Sequence, residues 1–376
     1  MSDTAPRVVF VSPFAQLAGA ERFLELMLEN MPRSLVRRVV FLQEGPFVAR
    51  AREAGHPITV LPTSQRPPGL VRSAWRLRRL LENDPPDLVH ANGVKATLVC
   101  ALALLGKPTP LVWMKHDLSF DGSLARPLAR RCRLVIGVSS ATLAVFGPKL
   151  RHKLRRVPHG LPPIDVDRDD GRAELVRLVS GDDDAPVVGL VGRLYRMKGQ
   201  HELVEVVPEV LERVPDVRFA FLGGVDPNVP EYAEAVRRRV DQLGITAAVS
   251  FLGHRDDATL LMSGCDLIAI PSVPAERGNT EAFSLVALEA LLVGTPVVAY
   301  AEGGLPEVLG SCALLAPTGD RAALRDAIVR ALQDAQLRRS LADCGRQRAL
   351  TKFRLERMVE SILECYREAS SPARGT

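Results

Sequence analysis

A short apolar run leads into a glycine-rich loop in the stretch VVGLVGRLYRMKG, which occupies residues 187–199. An apolar run of this length is typical of a parallel strand that is buried on both faces. A helical pattern follows at 201–212, and the next apolar run lies at 218–222. The stretch therefore predicts the strand–loop–helix unit from which parallel α/β sheets are built.

The same alternation extends in both directions from this unit. Towards the C-terminus, we predict strands at 249–252, 267–270, 296–299 and 312–315 and late helices at 321–334, 336–350 and 355–368. Towards the N-terminus, we predict strands at 7–12, 39–42, 58–61, 88–91, 111–114 and 134–138, with helical patterns between most of them. The predicted fold class is α/β, with two Rossmann-like, doubly wound parallel sheets facing a central cleft at their carboxyl edges.

The alternation breaks between the two halves of the chain. Residues 161–184 contain Pro162-Pro163 and the acidic run Asp182-Asp183-Asp184. We therefore predict a first domain at 1–165, a linker at 166–185, a second domain at 186–352, and a C-terminal helix with its tail at 353–376. The 376 residues are enough for two domains that each bury a core.

Charge is distributed unevenly along a chain of ordinary globular composition, with 47% apolar and 25% charged residues. Residues 1–165 hold 24 basic and 12 acidic residues, a formal charge of +12, whereas residues 166–376 carry −7. This asymmetry favours an acidic partner for the first domain, such as anionic lipid or a phosphorylated acceptor. The alternative is a solvated arginine-rich surface. Nucleic acid is disfavoured, because few aromatic residues interrupt the basic stretch and no recognition motif is present.

The six cysteines form no CxxC pair, so we expect buried free thiols in a reducing compartment. The first residues lack an apolar stretch of signal length, and the apolar run at 98–105 is too short to cross a bilayer. We therefore expect a cytoplasmic protein. The aspartates at 167–170 and 182–184 are predicted to be caps or solvated loops rather than metal ligands, and Ser139 to cap a helix.

Two cations protrude from the glycine-rich loop within residues 187–199. Arg193 and Lys198 are five residues apart and can converge on one anion. A planar guanidinium and a compact ammonium together suit a diphosphate, and the helix that follows adds its amino-terminal dipole. The alternative is a pair of solvated surface cations.

A second constellation is EAFSLVALE at residues 281–289, in which Glu281 and Glu289 flank an apolar segment. The backbone amides of Phe283, Ser284 and Leu285 are open at the predicted helix start and suit a phosphate. The motif GTPVVA follows at 294–299 and GGLPE at 303–307.

In this order, the motifs resemble the retaining, nucleotide-sugar-dependent glycosyltransferases of family four, which have the two-domain GT-B fold. The resemblance covers nearly the whole chain and is strongest from 187 to 309. It implies that Arg193 and Lys198 grip the donor diphosphate, that Glu281 faces the donor sugar, and that Glu289 binds the ribose hydroxyls. It also implies that the C-terminal helix crosses back to the first domain. The implied donor-binding residues are Gly19, Ala20, Gly192, Gly223, Gly253, Phe283, Ser284, Leu285 and Glu289.

The first domain resembles the family less closely. His116 resembles the active-site histidine, and His90, Asn92 and Lys115 fall on the acceptor side, with Asn92 where a second histidine is common. Ala18 replaces the first of the two glycines that usually approach the diphosphate. His159 stands where the family commonly has asparagine.

The resemblance implies transfer of a sugar from a UDP- or GDP-linked donor to a hydroxyl acceptor, with retention and without a metal or other cofactor. The basic first domain favours a lipid-linked or phosphorylated acceptor in cell-envelope glycan or glycolipid synthesis, with peripheral binding to the inner membrane face. A soluble small-molecule acceptor is the alternative within this class. Outside it stand a noncatalytic nucleotide- or glycan-binding module and a sugar-nucleotide epimerase. No nucleic-acid partner is expected.

Overall fold

A computed structural model describes residues 6–16, 19–64, 66–179, 182–275 and 280–371. The chain divides into two compact units. Unit 1 comprises Met1–Gly160 and Leu355–Thr376, and unit 2 comprises Leu161–Arg354.

The sheet of unit 1 has seven parallel strands in the order β3-β2-β1-β4-β5-β6-β7. Its strands are β1 (Val8–Ser12), β2 (Val36–Phe41), β3 (Ile58–Val60), β4 (Leu88–Asn92), β5 (Leu111–Lys115), β6 (Leu134–Gly137) and β7 (Leu154–Arg156). Its first helices are α1 (Gly19–Asn30), α2 (Pro46–Glu53), α3 (Pro67–Asn83), α4 (Val94–Ala103), α5 (Ala125–Arg131) and α6 (Ser140–Leu143). The sequence patterns did not reveal β7, because this short edge strand contains two arginines and only one apolar residue.

The sheet of unit 2 has six parallel strands in the order β10-β9-β8-β11-β12-β13. Its strands are β8 (Val187–Val191), β9 (Arg218–Leu222), β10 (Val249–Gly253), β11 (Leu267–Ile270), β12 (Val297–Tyr300) and β13 (Leu314–Ala316). Its helices are α7 (Arg168–Leu178), α8 (Gln200–Leu211), α9 (Pro230–Gln242), α10 (Ala258–Gly264), α11 (Leu285–Val293), α12 (Leu305–Leu309), α13 (Arg321–Gln333) and α14 (Ala335–Lys352). The predicted α/β class with two doubly wound parallel sheets is confirmed.

The central strands are buried from end to end, as their uninterrupted apolar runs predict. In each sheet the chain starts at a central strand, builds outward on one side, and then returns to build the other side. This reversal lies between β1 and β4 in unit 1 and between β8 and β11 in unit 2. In folds of this kind, ligands bind at the carboxyl ends of the strands on either side of such a reversal.

The last helix, α15 (Leu355–Ser370), returns the chain to unit 1. It packs against β4, β5 and α1. The Tyr366 hydroxyl is hydrogen-bonded to Nδ1 of His90 at 2.8 Å, and Arg155 forms an ion pair with Glu368. The predicted return of the C-terminal helix to the first domain is therefore confirmed.

The segment predicted as a linker, 166–185, contains α7, which packs against α10 within unit 2. The two helices approach so closely that a Cβ on Gly171 would lie 2.3 Å from the Leu260 carbonyl oxygen. Asp167 caps this helix by accepting hydrogen bonds from the amides of Asp169 and Asp170. Ser139 caps α6, as predicted.

The expectation of free thiols is wrong for two of the six cysteines. Cys312 and Cys344 form a disulfide with a Cα–Cα distance of 5.3 Å. It joins the segment between α12 and β13 to the middle of α14. The other four cysteines are buried free thiols, as predicted. Within the described ranges, no helix combines the length and apolar character that a membrane span requires.

Candidate functional site

The loops that follow β8 and β11 carry the residues singled out in unit 2. β8 ends at Val191, and the next residues are Gly192 and Arg193. A 3₁₀ turn over Arg196–Lys198 then leads into α8. Because β8 and β11 are neighbours at the reversal of strand order, their two loops meet at the carboxyl edge of the sheet.

Arg193 is held by a carboxylate. Its Nη1 lies 2.8 Å from Oδ2 of Asp226, a side chain that is 6% exposed, whereas the Arg193 side chain is 61% exposed. The other oxygen of Asp226 accepts hydrogen bonds from the backbone amide and the side-chain amide of Asn228, each at 3.0 Å. The buried carboxylate therefore fixes one edge of the guanidinium and leaves its remaining donors facing solvent.

Lys198 forms the second cation–carboxylate pair. Its Nζ lies 2.7 Å from Oε2 of Glu281, and the Ser272 hydroxyl donates to the same oxygen at 3.3 Å. The lysine stem passes over Gly192, where an added Cβ would lie 3.3 Å from Lys198 Cγ. The structure thus brings Lys198 and Glu281 together although 83 residues separate them.

Backbone contacts hold this loop against the sheet. The Gly192 amide donates to the Leu222 carbonyl at 2.8 Å, and the Gly223 amide donates to the Gly253 carbonyl at 2.7 Å. A Cβ on Gly223 would lie 1.9 Å from the Gly192 carbonyl oxygen, so only glycine fits this approach. Gly192, Gly223 and Gly253 are therefore adjacent at the carboxyl ends of β8, β9 and β10.

The start of α11 lies just after Glu281. Ser284 caps the helix by accepting a hydrogen bond from the Ala287 amide at 3.2 Å. The Leu288 amide donates to the Ser284 carbonyl at 3.2 Å, so Leu285 and Val286 supply the first-turn amides that suit an anion. Phe283 is buried, and Glu289 lies half-buried one turn into the helix.

The GGLPE motif supports the backbone of Glu281. The Gly304 amide donates to the Glu281 carbonyl at 2.7 Å. Added Cβ atoms on Gly303 and Gly304 would lie 2.1 Å from the carbonyl oxygens of Glu281 and Ala282, respectively. The two glycines therefore permit α12 to begin directly against this loop.

A separate polar cluster lies in unit 1. Asn92 ends β4, and its Nδ2 donates to the Ala20 carbonyl in the first turn of α1 at 3.1 Å. This contact orients the amide, so its Oδ1 accepts from Nε2 of His116 at 2.6 Å. The structure thus brings Asn92 and His116 together beside the Gly19–Ala20 end of α1. Ala18 lies outside the described residues.

His116 is a neutral imidazole in this setting. Burial, followed by the neighbouring His159, His90 and Lys115, holds the pKa of His116 well below its usual range. Because Nε2 donates to Asn92, the proton resides there and Nδ1 is an acceptor. Nδ1 has no hydrogen-bond partner among the described residues. The Nδ1 atom is itself buried, so the imidazole has an unsatisfied acceptor beneath the surface of unit 1.

Two residues predicted on the acceptor side are fully buried. His90 packs against Phe10 and Tyr366, and burial lowers its pKa to about 3. Lys115 pairs with Asp121 at 2.6 Å and donates to the Asp117 carbonyl. Both side chains are 0% exposed, so in this structure they shape the loop around His116 rather than face a ligand.

Sequence reasoning missed three residues that support the unit 2 site. Asp226 holds Arg193, Ser272 bonds Glu281, and the buried Gln200 donates from Nε2 to the Arg193 carbonyl at 2.9 Å. Asp226 lies 33 residues from Arg193, and Ser272 lies 9 residues from Glu281, so neither pair has a helix or strand spacing that would reveal the contact. Across the ranges that the structure describes, no three His, Cys, Asp or Glu side chains cluster closely enough to hold a metal ion.

The fold places this protein in a class of known structures, those with the GT-B architecture. The structure superimposes on that of Anabaena HepE (Alr3699), which was solved in complex with UDP, with a TM-score of 0.81, covering 95% of this chain and 98% of that one at 24% identity. Both structures have the GT-B architecture of two Rossmann-like domains.

Sequence comparison gives the family. Residues 17–165 match "Glycosyltransferase Family 4" and residues 185–334 match "Glycosyl transferases group 1". The chain belongs to glycosyltransferase family 4.

Two relatives illustrate the range within it. A D-inositol 3-phosphate glycosyltransferase of Corynebacterium urealyticum is 35% identical over 49% of this chain and 43% of its own length. A GDP-mannose-dependent alpha-(1-6)-phosphatidylinositol monomannoside mannosyltransferase of Mycolicibacterium smegmatis is 28% identical over 74% and 76%. The match to the first therefore spans less than half of that relative's length.

Proposed function

We propose that this protein transfers a sugar, with retention, from a nucleotide-diphosphate sugar to a hydroxyl acceptor. The observation that carries the proposal is the pair of cations at the carboxyl edge of unit 2. Arg193 and Lys198 are each fixed by a buried carboxylate, and Glu281, the partner of Lys198, lies just before the first turn of α11. Donors that are fixed before the substrate arrives stabilise developing negative charge with little reorganisation.

The chemistry requires such a site. Cleavage of the anomeric C–O bond leaves the electron pair on the diphosphate, and Arg193, Lys198 and the helix amides stabilise that charge. The acceptor oxygen forms the new C–O bond on the same face and gives its proton to the departing phosphate oxygen. This balance needs neither a metal nor a protein nucleophile. Glu281, which Lys198 holds, faces the donor sugar in this proposal.

His116 is assigned to a substrate hydroxyl. Its Nδ1 is an acceptor that lacks a protein partner among the described residues, and Asn92 fixes the opposite nitrogen as the donor. A neutral imidazole in this tautomer orients a hydroxyl and does not act as a general acid. Glu289 and the glycines at 192, 223 and 253 are proposed to bind the nucleoside, with UDP tested before GDP because the HepE structure contains UDP.

The acceptor is proposed to be lipid-linked and presented at the cytoplasmic face of a membrane, in cell-envelope glycan or glycolipid synthesis. Support comes from α3, whose buried face includes Leu77 and whose opposite face exposes Trp75 and Val71. The guanidinium of Arg79 stacks 3.8 Å above the Trp75 ring, and Arg76 is exposed beside it. An exposed tryptophan among arginines suits the boundary between anionic headgroups and acyl chains.

A turnover assay tests the transfer. Purified protein is incubated with UDP- and GDP-sugars and with inositol phosphate or phosphoinositide acceptors, and the released nucleotide and the anomeric configuration are measured. Arg193→Ala and Lys198→Ala are expected to lower turnover by on the order of a hundredfold. A protein that binds nucleotide but releases none with any donor would instead be a noncatalytic module. Epimerised donor without transfer would indicate an epimerase.

Vesicle flotation tests whether the protein binds an anionic membrane surface. Wild type is expected to bind vesicles containing anionic phospholipid at low salt and to dissociate at high salt. Arg76→Glu/Arg79→Glu should abolish binding. Arg330→Glu/Arg339→Glu makes the same change of charge at exposed positions in unit 2 and should leave it intact. Equal loss in both variants, or no binding by wild type, would favour the soluble acceptor.

A further inference from the structure

A chain of buried hydrogen bonds runs away from the Arg193 loop into unit 2. It starts at Gln200, the first residue of α8, whose side chain is 0% exposed. Gln200 Nε2 donates to the Arg193 carbonyl at 2.9 Å and lies 3.5 Å from the Gly192 carbonyl. Because both acceptors are carbonyl oxygens, the amide nitrogen faces the loop and Oε1 must face the other way.

Tyr232 of α9 supplies the next bond. Its hydroxyl donates to Gln200 Oε1 at 3.2 Å. Burial raises the pKa of Tyr232 to about 12, so the hydroxyl keeps its proton at neutral pH. A phenol has one proton to donate, and here that proton is committed to Gln200.

His201 completes the chain and fixes its direction. Its Nδ1 lies 2.9 Å from the Tyr232 oxygen, and its backbone amide donates to the same oxygen at 3.3 Å. The other ring nitrogen, Nε2, lies 3.4 Å from Oε1 of Glu202, whose oxygens already accept shorter bonds from Arg321 and Tyr300. Since the phenolic proton goes to Gln200, we assign a proton to Nδ1, which donates to Tyr232. Burial lowers the pKa of His201, and the Glu202 carboxylate offsets part of that shift. Every donor in the chain therefore points towards Arg193.

We propose that Gln200, Tyr232 and His201 are positioning residues that hold the backbone of the Arg193 loop so that its guanidinium meets the leaving diphosphate. This inference rests on the proposed function. Arg193 is anchored at both ends, since Asp226 holds its side chain and Gln200 holds its carbonyl. Loss of either anchor allows a displacement of the charged group, and small displacements of catalytic groups reduce rates strongly.

Removal of the Tyr232 hydroxyl tests whether this chain of hydrogen bonds positions the Arg193 loop. Tyr232→Phe is expected to lower kcat roughly tenfold and to change KM for the donor by less than about twofold, because the loop still forms but is less well aligned. The matched control is Thr295→Val, which also removes one buried hydroxyl. Thr295 is 1% exposed, and its hydroxyl donates to the Met262 carbonyl at 2.8 Å, before the start of β12 and at the opposite edge of the sheet from the Arg193 loop. The control should lose comparable thermal stability and keep its kcat.

A double-mutant cycle shows whether Tyr232 acts through Gln200. Gln200→Met removes both bonds to the loop while keeping the length of the side chain. In that background, Tyr232→Phe should have no further effect on kcat, since the two residues form one chain. Additive effects, or an equal loss of kcat in Thr295→Val, would overturn the proposed positioning role and leave these residues a purely structural role.

A measurement without substrate tests the chain of hydrogen bonds independently of the proposed function. Nitrogen NMR of the His201 imidazole should find the proton on Nδ1 in wild type, with a changed Nδ1 signal in Tyr232→Phe. A proton on Nε2 would contradict the direction of the chain. If wild type turns over no donor but shows the Nδ1 tautomer, the transfer proposal fails while the hydrogen-bond chain stands.

Discussion

The pairing of Lys198 with Glu281 makes stability and catalysis separable. Lys198→Met leaves the Glu281 carboxylate, which is 8% exposed, with the Ser272 hydroxyl as its remaining described side-chain partner. Removal of one partner from a buried ion pair costs about 3–5 kcal/mol. The Lys198 side chain is 25% exposed, so water relieves part of this penalty, and we expect about 2–3 kcal/mol. For a unit of this size, that lowers Tm by roughly 4–12 °C.

The double variant Lys198→Met/Glu281→Gln then distinguishes the two effects. A neutral amide needs no counter-ion, so the double variant should recover most of the lost stability. It should not recover turnover, because the diphosphate still lacks the ammonium. Denaturant unfolding and donor turnover are measured on wild type and both variants. A double variant that is no more stable than Lys198→Met would refute the claim that the two side chains compensate each other.

Two further predictions concern stability. Cys312→Ser opens the disulfide to Cys344, which closes a loop with a sequence separation of 32 residues, and should cost roughly 3–4 kcal/mol in denaturant unfolding. A dithiol reductant should lower the stability of wild type to the same level and leave the variant unchanged; a wild type indifferent to reductant would mean that the bond is absent. Burial holds the pKa of His90 and His159 at about 3 and that of His116 well below its usual range, so the unfolded chain takes up protons below about pH 6.5 where the folded chain does not. Stability should therefore fall on acidification from about pH 6.5, by roughly 1.4 kcal/mol per pH unit for each of these histidines, and His90→Asn should remove the contribution of one of them; a slope that the variant leaves unchanged would contradict the buried neutral state.

The sheets were predictable because a strand that is buried on both faces has an uninterrupted run of apolar residues. The run VVGLV at Val187–Val191 is apolar throughout and is a buried strand. β7, which lies at the sheet edge, has no such apolar run and was missed. The disulfide was missed for a different reason. Cys312 and Cys344 meet only because α14 packs beside the segment after α12, and no spacing rule encodes that contact.

In the candidate site too, local motifs predict some residues, whereas contacts between distant segments could not be predicted. Arg193, Lys198 and Glu281 were predicted from local motifs, and the structure adds that Lys198 and Glu281 form a pair. The partner of Arg193 could not be predicted, because Asp226 is brought close only by the adjacency of β8 and β9. The burial of His90 likewise depends on α15, which begins 265 residues after His90 in the sequence and covers β4.

Calorimetric titration of nucleoside diphosphates into metal-free protein tests the central claim most directly. We predict that UDP or GDP binds, that Arg193→Ala and Lys198→Ala each weaken that binding, and that the exposed control Arg339→Ala does not. If neither UDP nor GDP binds, or if the two site variants bind as tightly as wild type, the carboxyl edge of unit 2 is not the diphosphate site.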